Sequence, residues 1–238
     1  MDPITLAKAD QLIWLGRYTE RVFTTLDRFF STYDAMVDGD TTALEEFCDR
    51  LDIVVHHRGG TPESFVFDIL YDPNDPASVC SSMRAAFGNA LQLRPELGTP
   101  TMSYIELALM NLKSSKEPTS RLMQHRSVHD NLLAFWGAAE DSLVSGEMRG
   151  LLFFGKYLER LELWSRFDVA VDAIDLPLRK LGFYLGYIRH PECLGIAGTL
   201  DALMGDLAQR GYDATVLDRL ADYRDTIQAV QQQARSVA

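Results

Sequence analysis

Apolar residues recur at spacings of three and four through most of the chain, and nowhere does a run of four to eight residues alternate convincingly between apolar and polar. From Pro3 to about Val37, the positions Leu12, Leu15, Val22, Leu26 and Phe29 fall on one stripe of a long helix. A second long helix is expected from Ser145, a plausible N-cap, to about Ile174, with Leu151, Phe154, Leu158 and Leu161 as its stripe. Shorter helices are predicted at 42–52, 62–71, 76–94, 100–114, 118–142, 177–189, 196–209 and 214–235. Ile53-Val54-Val55 is β-branched but too short for a strand, so the predicted fold is all-α.

Proline placement sharpens the boundaries. Proline at the first helical position loses no hydrogen bond and commonly follows a capping Asp or Thr. Asp2-Pro3, Thr61-Pro62, Asp75-Pro76 and Thr99-Pro100 have this form, and Glu117-Pro118 and Leu176-Pro177 are weaker versions with poor caps. Gly59-Gly60 before Thr61-Pro62 reads as a helix stop, a turn and a helix start; no strand precedes it and no GK[ST] follows, which disfavours a phosphate loop. With no low-complexity linker, one multi-helix bundle over residues 1–238 is the economical reading.

Inside both long stripes lies the same polar hexapeptide. Trp14-Leu15-Gly16-Arg17-Tyr18-Thr19-Glu20-Arg21-Val22 aligns with Phe153-Phe154-Gly155-Lys156-Tyr157-Leu158-Glu159-Arg160-Leu161, each position identical or similar except Thr19 against Leu158. The two long helices are thus related by an internal pseudo-repeat, although the halves do not align well elsewhere. On a helix Gly16 and Glu20 share a face, as do Arg17 and Arg21. A glycine inside a helix costs roughly 1 kcal/mol against alanine, so two at equivalent places point to close packing or close ligand approach at Gly16 and Gly155.

A buried carboxylate one turn further on needs a partner, and Arg17, Arg21, Lys156 and Arg160 are the nearest cations in sequence. Two readings follow. In the first, the long helices pack near a local two-fold and Glu20 meets Arg160 while Glu159 meets Arg21. In the second, Glu20 or Glu159 is a general acid-base in a cleft where Arg17, Tyr18, Arg21, Lys156, Tyr157 and Arg160 grip a charged peptide, carboxylate or phosphate.

Composition narrows the classes. A hydrophobic content of 47% in 238 residues supports a real core, and a formal charge of -11 opposes a phosphate-binding surface, so no nucleic-acid partner is expected. No basic region precedes an apolar core at the start, and no eighteen apolar residues run together; neither a leader nor a membrane span is expected, and the predicted location is the cytoplasm. Cys48, Cys80 and Cys193 form no CxxC or nucleophile signature, so reduced, inert thiols are expected. His125 and His129 are four apart, a possible metal pair, but no third ligand is evident and neither an HExxH nor a Glu-x-x-His pattern is present; no metal or cofactor is expected. The segment Phe183 to His190 is aromatic-rich and reads either as core or as a docking face.

The segments ADQLIWLGRYTERV and LLFFGKYLERLELWSRFDVAVDAI, together with Asp75-Pro76-Ala77-Ser78-Val79 and Arg84-Ala85-Ala86 through Asn89-Ala90, resemble the bacterial Alpha-E family, helical domains named for a Glu-Arg motif. Most of residues 9 to 175 is consistent with that pattern. The chain departs from it at Gly88 and Leu91, where the family has an acid and a base, and at Lys156, which keeps charge but not the bidentate geometry of arginine. The resemblance implies a partner role beside a circularly permuted ATP-grasp ligase and a transglutaminase-like peptidase in peptide synthesis or modification. The expected function is therefore a helical accessory or scaffold protein that presents a peptide or aminoacyl substrate to the ligase. The alternatives are the Glu/Arg enzyme above and a purely structural bundle.

Overall fold

The computed structural model describes residues 4–51, 70, 72, 74–76, 78–114, 118–167, 169 and 171–189, without the side chains of residues 114, 118–125, 165, 171 and 172. All regular structure among them is helical: α1 (Leu6–Val37), α2 (Ala43–Arg50), α3 (Val79–Gln92), α4 (Arg94–Ser114), α5 (Pro118–Ser142), α6 (Gly146–Arg166) and α7 (Val171–Leu185). The helices expected at 196–209 and 214–235, nearly all of that at 62–71, and Gly59-Gly60 lie outside the described residues.

Helix boundaries follow local chemistry. Helix α1 stops because Gly39 adopts φ 101°, which lets Gly39 N donate to Met36 O and Asp40 N to Ala35 O. That pair of bonds satisfies carbonyls the last turn would otherwise leave open. Asp40 Oδ1 then accepts from Thr42 N at 2.9 Å and Ala43 N at 3.2 Å, covering the exposed donors at the start of α2.

Three expected boundaries are corrected. Helix α3 begins at Val79, where Ser78 accepts from Ser81 N at 3.1 Å; Pro76 instead lies in a turn closed by Ser78 N on Asp75 O. The long helix expected to reach residue 174 ends at Arg166, because buried Phe167 turns extended at φ -110°, ψ 124°. Helix α7 then starts at Val171 rather than Pro177 and carries the proline inside. Its apolar side, Ile174, Leu178 and Leu181, is buried on both sides of Pro177, so packing overrides the proline's preference for a first turn. Thr99-Pro100 does restart a helix, after a break at Gly98 with φ 74°.

The chain divides into two compact units, residues 1–17 with 144–238, and residues 18–143. In the first, Ala9, Leu12, Ile13 and Leu15 of α1 are buried, as are Leu151 to Phe154, Leu158 and Leu161 of α6, which packs against α7. In the second, Val22, Leu26 and Phe29 of α1 are buried with Phe47, Met83, Ile105 and Phe135, and α4 packs against both α3 and α5. Both predicted stripes are therefore core. Among the described residues no helix is long and apolar enough to cross a membrane.

Candidate functional site

The glycines of the repeated hexapeptide explain how the two long helices meet within the first unit. A Cβ built on Gly16 would overlap the carbonyl oxygen of Leu152 and lie 2.8 Å from Lys156 N. One built on Gly155 would overlap the carbonyl oxygen of Ile13 and lie 2.9 Å from its carbonyl carbon. Ile13 and Leu152 stand three residues before their respective glycines, so the contact is reciprocal: each glycine receives the backbone at the equivalent position of the other helix. Only a residue without Cβ permits this approach.

Next to the crossing sits Arg17, which is 2% exposed. Its Nε donates to Glu159 Oε2 at 2.6 Å and its Nη2 to Glu162 Oε2 at 2.6 Å, while the guanidinium lies over the Trp14 ring at 4.7 Å. Arg166 approaches the other Glu162 oxygen at 3.8 Å. Glu159 is 1% exposed, so this is an ion pair removed from solvent with two carboxylates on one guanidinium fork. Arg17, a partner of Glu159 that the sequence reading did not name, directly follows the glycine.

In the second unit Glu20 is wholly buried, and Thr24 Oγ1 donates to its Oε1 at 2.8 Å. Leu163 occupies the position equivalent to Thr24 in the other copy, so the hydroxyl bond to Glu20 has no counterpart four residues after Glu159. The one mismatch within the hexapeptide also has a cause. Thr19 accepts from Trp136 Nε1 at 3.2 Å, whereas buried Leu158 fills apolar space.

The aromatic and terminal basic positions behave alike in both copies. Arg21 lies over the Tyr18 ring at 5.7 Å, and Arg160 lies over Tyr157 at 5.5 Å and Trp164 at 5.7 Å. Tyr18, Arg21, Tyr157 and Arg160 are half-buried, unlike the glycine and acid positions. Lys156 is buried, with its ammonium 5.7 Å from the Phe153 ring and 5.4 Å from Tyr157. Desolvated cations over aromatic faces gain electrostatically from the ring quadrupole.

Every residue singled out in the hexapeptides is thus placed, and the ion pair of Arg17 with Glu159 joins the two copies. Sequence reasoning missed Glu162 and Thr24, although both were accessible to it. Glu162 is three residues after Glu159 and Thr24 is four after Glu20, so each shares a helix face with its acid.

The other candidates acquire definite surroundings. His129 stacks on Phe23 at 4.2 Å between centroids, and its Nε2 is 2.9 Å from the Phe23 carbonyl, which makes Nε2 the protonated nitrogen. Burial holds the imidazole below its ordinary pKa, against the opposing effects of that hydrogen bond and of Asp27 and Asp130. The side chain of His125 lies outside the description. Cys48 is buried and its thiol is pushed up to about 12, by burial first and the charge of Asp49 second, so it is a thiol at neutral pH. Cys80 is buried as well, and Cys193 lies outside the described residues. Among the described residues no three His, Cys, Asp or Glu side chains converge as a metal set.

Residues 8–177 match the model of a family described as a predicted alpha-helical domain with a conserved ER motif. No curated protein and no solved structure matches the chain.

Proposed function

The chain belongs to the Alpha-E family, and from that premise we propose that it is a helical scaffold protein, in which the repeated Glu-Arg motif fastens α1 to α6. It partners an ATP-grasp-type ligase and presents a peptide or aminoacyl substrate to it. The observation that carries the scaffold reading is the closure of Arg17 on Glu159 at 2.6 Å, with both groups buried beside a backbone-to-backbone helix crossing. A general acid-base must reach the proton it moves, within hydrogen-bond distance or through one water. Glu20 and Glu159 are 0% and 1% exposed, which favours fastening over proton transfer. The ligase and its substrate come from the family resemblance, together with a transglutaminase-like protein as a further partner.

The test is purification of the tagged full-length chain from its native host, followed by quantitative identification of what elutes with it. An ATP-grasp protein in stoichiometric amount is the expected result, and product formation by the reconstituted pair should fall in Glu159→Gln only as far as folding and ligase binding fall. The absence of any ligase would reject the partner reading. A Glu159→Gln protein that melts normally, holds the ligase and makes no product would make Glu159 catalytic and reject the scaffold reading.

A further inference from the structure

We draw no further inference here: the strongest candidate, the surface patch on α7 formed by exposed Leu176 and Phe183, carries nothing because nothing in the structure shows what covers it.

Discussion

Arg17 and Glu159, 142 residues apart in sequence, meet at 2.6 Å between Nε and Oε2 with almost no solvent on either. The pair comes from different copies of the motif, one position after the glycine in the first and four after it in the second. Charge and close packing are therefore coupled. The glycine contacts bring the helix backbones together, and the guanidinium beside them holds two carboxylates of α6.

Breaking that pair has an asymmetric cost. Removing one partner of a buried ion pair costs about 3–5 kcal/mol, because the remaining charge is left without compensation. In Glu159→Gln the guanidinium keeps Glu162, so the loss should fall toward the lower end; Arg17→Met disconnects both carboxylates and should cost more. Replacing Arg17 and Glu159 together by methionine should restore part of the loss. Urea unfolding of the single and double variants measures all three, and additive losses would show that the pair is not energetically coupled.

Four helical glycines should divide into opposite classes. Gly16→Ala and Gly155→Ala place a methyl into a backbone carbonyl that cannot move aside cheaply, and each should destabilise by about 1–3 kcal/mol despite alanine's better propensity. Gly88 and Gly137 are exposed and have nothing within 4 Å of a built Cβ. Alanine there should stabilise by roughly 0.5–1 kcal/mol, through propensity and a less flexible unfolded chain. Thermal melts of the four variants should therefore shift down, down, up and up.

The N-terminus of α6 sets where Glu159 is presented. Ser145 accepts from Met148 N at 3.4 Å, and Ser145→Ala should cost about 1 kcal/mol. Ser78→Ala at the start of α3, where the bond is 3.1 Å, should cost a similar amount. Ser145→Thr, which keeps the acceptor, should recover most of the loss in the same denaturant titration.

The long helices and their buried sides could be read from the sequence because their periodicity extends over many turns: Leu12, Leu15, Val22, Leu26 and Phe29, and Leu151, Phe154, Leu158 and Leu161, are all buried. The glycines were legible for a related reason, since an unfavourable residue recurring at equivalent places calls for a steric cause. The bond from Arg17 to Glu159 was not, because it depends on how the two helices cross, which spacing along either one does not fix. The break at Phe167 was also hidden, because the apolar pattern resumes at Ile174 as though the helix continued. Thr19 looked like noise in the repeat until Trp136, distant in sequence, supplied its donor.

His129 should make stability depend on pH with a definite sign. Its folded pKa is depressed below the ordinary value of about 6.5, chiefly by burial against α1, so the folded chain binds fewer protons there than the unfolded chain. The slope of unfolding free energy against pH is proportional to protons bound unfolded minus folded, and is positive for this group. Its contribution to stability is intact above the unfolded pKa and is lost as pH falls from there through the depressed folded value. In His129→Phe the ring stack on Phe23 can persist, while the titrating group and its bond to the Phe23 carbonyl are gone. Denaturant titrations at a series of pH values should give a shallower slope below about pH 6.5 for the variant than for the parent. Parallel curves would mean that His129 protonates equally in both states, and that the buried stack does not control its charge.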